Sequence, residues 1–323
     1  MAGILVIGSL NADLVVRAPR FPAPGETISG NDLQIFPGGK GANQAVAAAR
    51  LGADVAMIGR VGNDPFGSNL IDNLKQNRVD TSRVLRDESA STGTAIIVVD
   101  SNGQNSIVLS PGANGKVSSS DVEPASFRDP STSSGQRFSL LLLQLEIPTE
   151  TVLHSARLAR QNGLRVLLNP APARQLPDEL VALSDFILPN ETELSLLAGR
   201  TPAPSANQTI SDLASVETAA RSLVTREAQT VIVTLGADGA LIVNQNGAKH
   251  IPSFKVNVVD TTAAGDAFIG GFAAALLNNK PLEDAIQYAC ACGALAVTQF
   301  GAQPSLPTKE EVEQFVRAPR NAQ

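Results

Sequence analysis

Short apolar runs recur along the chain at intervals that leave room for a helix between them. They are Ile4-Leu-Val-Ile7, Val55-Ala-Met-Ile58, Leu140-Leu-Leu-Leu143, Arg165-Val-Leu-Leu168, Phe186-Ile-Leu188 and Thr230-Val-Ile-Val-Thr234. None shows the polar–apolar alternation of a half-exposed strand, so each predicts a strand covered on both faces. Helical spacing fills several of the intervals, at Asn43–Leu51, Phe66–Gln76, Thr149–Gln161 and Val216–Glu227. Strand and helix in alternation predict an α/β fold: a mostly parallel sheet flanked by helices. In such a sheet ligands collect outside the carboxyl ends of the strands.

Two regions break the alternation. Residues 12–38 are rich in Pro and Gly, with strand-like pairs at Leu14/Val16, Thr27/Ile28 and Leu33/Ile35. Residues 92–111 read as a hairpin turning near Ser101-Asn-Gly103. Together they predict a small inserted β-sheet lid on one α/β unit spanning 1–323. The Ser-rich stretch 117–137 is expected to be a mobile surface loop, and 201–212 looks similar.

Composition narrows the function. The chain has 323 residues, 43% hydrophobic and 17% charged, enough for a real core. A net charge of -6 disfavours a nucleic-acid binder, which would ordinarily be basic. It does not disfavour an anionic ligand, because backbone N–H groups hold phosphate without lysine. The two cysteines, Cys290 and Cys292, sit two apart in a helical pattern. No disulfide framework follows, and free thiols fit a reducing compartment, the cytoplasm. Met1–Gly8 has no basic leader, and no apolar run reaches ~18 residues, so no membrane span is expected.

Five stretches carry candidate chemistry. In Asp260-Thr-Thr-Ala-Ala-Gly-Asp266 a helix is expected to begin near Ala263–Asp266, where free N–H groups and the dipole favour an anion. The tiny side chains of Ala263, Ala264 and Gly265 leave that backbone bare. Asp266 is then either a general base beside a phosphoryl group or an ordinary helix-start acid; spacing leaves both open. Pro37-Gly-Gly-Lys-Gly-Ala-Asn43 is a glycine loop against a helix start at Asn43, and is neither a P-loop nor a dinucleotide fingerprint. It reads as a cradle for a polyhydroxylated ligand or as a tight turn. Asn11 and Asp13 share one side of an extended segment, which suits neighbouring hydroxyls or an Asx-turn. Asn190-Glu-Thr-Glu193 is a capping box or an Asn/Glu pair ordering a hydrated Mg²⁺. Thr234-Leu-Gly-Ala-Asp-Gly239 is a hairpin turn or the wall of a nucleotide site.

The ordered set of these motifs resembles the ribokinase-like carbohydrate kinase family, over about residues 3–317. Within it, Asn11-Ala-Asp13, Pro37–Gln44 and Gly301-Ala-Gln-Pro-Ser305 are most similar to members acting on D-ribose. The resemblance implies a Rossmann-like α/β domain with a β-sheet lid, and transfer of the γ-phosphoryl group of ATP to the 5-hydroxyl of that sugar. It implies Asp266 as base, with the amides of Ala263, Ala264, Gly265 and Asp266 as anion hole. It implies a sugar site of Asn11, Asp13, Gly39, Lys40, Gly41, Ala42, Asn43 and Glu146. Asn190, Thr234, Leu235, Gly236, Ala237, Asp238, Gly239 and Gly265 would line the nucleotide site. Cys290 would face the adenine, where members often carry His or Asn. Glu193 would order Mg²⁺ and its waters, and Asp260, Thr262, Ala296, Gln299, Gly301 and Ser305 would hold K⁺. The lid would also form a homodimer contact.

Overall fold

A computed structural model of the chain describes residues 3–127, 137–199 and 212–317. Among them, nine strands form the main sheet: β1 (Gly3–Ile7), β4 (Val55–Gly62), β5 (Val79–Asp87), β8 (Phe138–Leu143), β9 (Arg165–Leu168), β10 (Phe186–Ile187), β11 (Thr230–Thr234), β12 (Ala240–Asn244) and β13 (Gly247–Ile251). Their spatial order is β13-β12-β11-β10-β9-β8-β1-β4-β5. All neighbours from β11 to β5 are parallel; the β11–β12 and β12–β13 pairings are antiparallel. From β1 the chain first builds outward through β4 and β5, then returns to β8 on the other side. The strand order therefore reverses between β1 and β8, the place where an open α/β sheet leaves a crevice.

Burial on both faces explains the unbroken apolar runs. In β1, Ile4 and Val6 pack on the side of helices α1 (Lys40–Arg50), α2 (Pro65–Gln76), α7 (Ala264–Leu277) and α8 (Leu282–Ala296). Leu5 and Ile7 pack on the opposite side with α3 (Thr149–Gln161) and α4 (Asp178–Leu183). Each such side chain, fully withdrawn from water, contributes roughly 1.5–3 kcal/mol. A third cluster joins β11 and β12 to α5 (Glu191–Leu197) and α6 (Leu213–Ser222). Helix α9 (Lys309–Arg317) adds Val312 to the first cluster.

The second sheet is the lid: β2 (Asn11–Arg17), β3 (Gln34–Gly38), β6 (Gly93–Val99) and β7 (Asn105–Ser110), ordered β3-β2-β6-β7. Its register puts Ile35, Leu14, Ile96 and Val108 in one cross-strand row. Three members of that row are open to solvent: Ile35 at 52%, Ile96 at 51% and Val108 at 64%. Phe36, Asp13 and Ala95 form the row on the other face.

Several expectations need correction. Residues 117–127 are folded, not a mobile loop: short 3-10 turns at Ser119–Asp121 and Pro124–Phe127 bury Val117, Val122 and Phe127 in the second core cluster. Those three apolar residues explain why the segment packs despite its serines. Residues 128–136 of the first stretch and 201–211 of the second lie outside the described residues. Thr27 and Ile28 join no strand. Helix α1 begins at Lys40 rather than Asn43, and α6 spans Leu213–Ser222 rather than 216–227. At the latter, Asp212 caps the start by accepting from the Ser215 amide.

Candidate active site

Close helix packing positions the candidate base. A Cβ on Gly270 of α7 would lie 2.4 Å from the Ala47 Cβ of α1, so the two helices touch there. One turn toward the N-terminus of each helix, the same contact sets Asp266 beside Asn43 and Gln44. Asn43 Nδ2 donates to Asp266 Oδ2 at 2.9 Å, and Gln44 Nε2 donates to Oδ1 at 3.0 Å. Asp266 is buried in the first turn of α7. Helix α7 starts from Ala263 in the left-handed region, φ 59°. Gly271 lets Cys292 Sγ approach closely, which accounts for Cys292 as packing.

The glycines of the Pro37–Asn43 loop serve contacts within the chain. A Cβ on Gly41 would stand 2.6 Å from the Ser9 nitrogen, and one on Gly38 would meet the Asp13 carboxyl at 2.1 Å. Gly39 has φ 88° and caps α1 against Leu10 and Asn11. The Pro37–Asn43 loop is thus shaped first by its own packing. Gly265 differs: no atom lies within 4 Å of where its Cβ would be, so that space opens into the site.

At the reversal between β1 and β8, Ser9 Oγ donates to Glu146 Oε2 at 2.5 Å, and the Lys40 amide donates to the same oxygen at 3.0 Å. Asn11 is held by Asn114, whose Nδ2 donates to Asn11 Oδ1 at 2.7 Å and to the Leu10 carbonyl at 3.0 Å. Burial pushes the Asp13 carboxyl up to about 7, helped by Glu146 and Asp266 and opposed by Lys40. Burial works against the charge on Lys40, yet Asp266, Glu146, Glu193 and Asp13 together hold its proton more tightly than usual. Burial also raises Glu193, with Asn190 N–H and Lys40 pulling the other way.

Three connected spaces surround these groups. A cavity of about 220 Å³ is lined by Lys40, Asn169, Glu193, Gly265 and Asp266, among others. It shares Asn190, Thr234, Thr261, Ala264 and Gly265 with a larger one of about 930 Å³. The larger cavity also takes in Gly236, Ala237, Asp238, Gly239, Phe268 and Cys290. The Thr234–Gly239 stretch is the β11–β12 hairpin turn, and it also forms a wall of the larger cavity. Leu235 is the exception and turns into the third core cluster. The capping box of Asn190 with Glu193 is formed, and both residues also face the small cavity. Burial raises the Cys290 thiol to about 12, so it meets the cavity as a neutral group.

The third space, about 260 Å³, lies between lid and loop and is lined by Asp13, Arg17, Phe36, Asp260, Thr262 and Gly301. Asp260 accepts from the Thr262 amide and hydroxyl and from the Gly301 amide. Burial opposes ionisation of Asp260, but these donors and Arg17 hold it below the ordinary range. Of the candidate cation ligands, Asp260, Thr262 and Gly301 are thereby brought together. Ala296, Gln299 and Ser305 do not line this space; the Ala296 carbonyl closes a turn with the Gln299 amide, and Ser305 Oγ donates to the Ala302 carbonyl.

Sequence reasoning missed Gln44, Gln144, Asn169 and Asn114. Gln144 and Asn169 directly follow β8 and β9. A polar residue closing an apolar run was the available signal, because strand carboxyl ends face the crevice. Among the described residues no group of three or more His, Cys, Asp or Glu side chains is arranged to hold a metal, and no helix is long and apolar enough to cross a membrane.

Comparison with known proteins agrees with this geometry. The model of the pfkB family carbohydrate kinases matches residues 1–309. A ribokinase of Haemophilus influenzae is 42% identical over 97% of this chain and 98% of its own. A deoxyribokinase of Salmonella typhi is 40% identical over 97% and 98%. The structure of Arabidopsis thaliana ribokinase complexed with ribose and ATP superposes with a TM-score of 0.84 at 32% identity, covering 99% of this chain and all of that one.

Proposed function

We propose, because this chain belongs to the pfkB family of carbohydrate kinases, that it transfers the γ-phosphoryl group of ATP to the 5-hydroxyl of D-ribose. The observation that carries the reading is Asp266. It stands in a helix first turn with both oxygens accepting from amides, next to the bare space at Gly265. A carboxylate so held is an acceptor, and the first-turn amides beside it are donors for negative charge.

Asp13, Asn11 and Glu146 bind the sugar from the lid and the β1–β8 crevice. Gly39, Gly41 and Ala42 shape the wall that brings Lys40 and Asn43 to it. The 5-hydroxyl gives its proton to Asp266 while its oxygen bonds to the γ-phosphorus, and the bond from that phosphorus to the β-γ bridging oxygen breaks to leave ADP. The amides of Ala264, Gly265 and Asp266 and the Lys40 ammonium offset the charge on the transferred group. The nucleotide occupies the large cavity, with its base toward Cys290.

Glu193, a buried oxygen donor facing the small cavity, fits a Mg²⁺ that takes its other oxygens from phosphates and water. That ion would neutralise phosphate charge. Asp260, Thr262 and Gly301 fit a K⁺ beside the start of α7 by donor chemistry, since carboxylate and carbonyl oxygens suit a hard cation. The exposed row Ile35, Ile96 and Val108 supports a homodimer through the lid, because an apolar stripe open to water across a sheet marks an interaction surface. The cytoplasm is the expected compartment.

Asp266→Asn should lower kcat at least ~10²-fold and leave sugar affinity nearly intact. Near-normal turnover would remove the base assignment. The Salmonella relative supports deoxyribose as a second acceptor. A panel of ribose, 2-deoxyribose, fructose and nucleosides decides, and the highest kcat/KM on anything but ribose rejects the narrower reading.

A further inference from the structure

Asp266 is the end point of a one-way chain of side-chain amides. The Leu188 carbonyl can only accept, and Asn169 Nδ2 donates to it at 3.0 Å. Asn169 must therefore present its Oδ1 to Gln44, whose Nε2 donates to it at 3.1 Å. The second hydrogen of the same Nε2 goes to Asp266 Oδ1. Gln44 Oε1 in turn accepts from Gln144 Nε2 at 2.6 Å. A flipped Gln44 amide would set oxygen against Asn169 Oδ1 and Asp266 Oδ1, and nitrogen against the Gln144 amino group. With Gln44 and Gln144 wholly buried, no water relieves such a clash.

We infer that Gln44 is a positioning residue, locked by Asn169 and Gln144 so that it holds the Asp266 carboxyl aimed at the incoming hydroxyl. This deepens the proposed kinase mechanism and rests on Asp266 as its base. Gln44 itself touches neither substrate, since it is packed behind Asp266. Among the described residues, the charged groups that face Asp266 are Lys40 at the head of α1, Asp13 on β2 and Glu193 on α5, with Glu146 facing Asp13 and Lys40. None of them supplies the N–H that Gln44 does, and two of the nearest are acids that oppose a second carboxylate.

The test is kcat against pH at saturating ATP and sugar, so that Asp13 is covered. Gln44→Met keeps the volume and removes the donor; Gln44→Glu keeps the shape and sets a carboxyl oxygen against Asp266. The acidic limb should move to higher pH by at least about half a unit in Gln44→Met and further in Gln44→Glu. The kcat plateau should fall about tenfold, with sugar KM within about threefold of the parent. An unmoved limb in a folded variant, or a loss confined to KM, overturns the inference. Should neither Gln44 variant fold, Gln144→Met, which frees the Gln44 amide to turn, should move the limb the same way; an unmoved limb there also overturns it. Asp266→Asn run alongside separates the two readings. Retained turnover in that variant defeats the base itself, whereas an inactive Asp266→Asn with an unmoved Gln44 limb defeats only the positioning role.

Discussion

Phe36 and Phe300 meet edge to face, with ring centroids 5.7 Å apart and planes at 74°. Phe36 lies on lid strand β3, and Phe300 adjoins Gly301, whose amide is fastened to Asp260. The Arg17 guanidinium, on β2, sits 4.6 Å from the Phe300 ring centre. The lid thus packs directly on the loop that follows α8, and the Gly301 amide ties that loop to Asp260 in the segment preceding the head of α7. Removing either ring should loosen both at once. Phe300→Ala should raise sugar KM about three- to tenfold with little change in kcat. A double-mutant cycle with Phe36→Ala should return a coupling of roughly 0.5–1.5 kcal/mol; simple additivity would show that the contact transmits nothing.

Asp13 should make the sugar-free protein less stable as pH rises. Its carboxyl is pushed from an ordinary 3.8 up to about 7, so between those values the native chain binds more protons than the unfolded one. Stability then falls as pH climbs through that window and levels off above it. The difference is about three units, an upper bound on the order of 4 kcal/mol. Asp13→Asn should flatten this slope and stabilise the protein at pH 8, while raising sugar KM at least ~10-fold. Urea unfolding across pH 4–8 reads it, and an unchanged slope contradicts the assignment.

Gly265→Ala should separate folding from activity. Nothing in the chain obstructs the new methyl, and alanine is the better helix former by roughly 0.5–1 kcal/mol. Thermal stability should hold or rise, while kcat/KM for ATP falls ~10²-fold as the methyl enters the phosphoryl space. Gly41→Ala should instead destabilise, since its Cβ would press on the Ser9 nitrogen. Full activity in folded Gly265→Ala would mean that no phosphate uses this helix start.

Val108→Asp places a charge at the β7 end of the exposed lid row. Sedimentation should show a dimer for the parent and a monomer for the variant. Equal masses would leave the row without a partner copy.

The main sheet was legible in the sequence because its strands are buried on both faces, and an unbroken run such as Leu140–Leu143 has few other uses. The α1 start was misplaced because Lys40, Gly41 and Ala42 enter the helix only once Gly39 is seated on Leu10 and Asn11. The 117–127 stretch looked like a loop because its serines outnumber Val117, Val122 and Phe127, yet three buried side chains suffice to pin it. Asp266 and its bare neighbours were visible as a motif, but spacing did not separate base from cap.

Local pattern, then, determined the elements and which residue types stand at strand ends, since burial periodicity and cap chemistry act over a few residues. Tertiary structure alone decided what those residues do. Gln44 and Asp266 are 222 positions apart, and only the α1–α7 contact at Gly270 brings them together. The glycines of the Pro37–Asn43 loop divide from Gly265 in the same way, by what stands opposite each once the chain has closed on itself. A hydrogen bond or an open space is a relation between distant segments, and it exists only after the core has fixed where those segments lie.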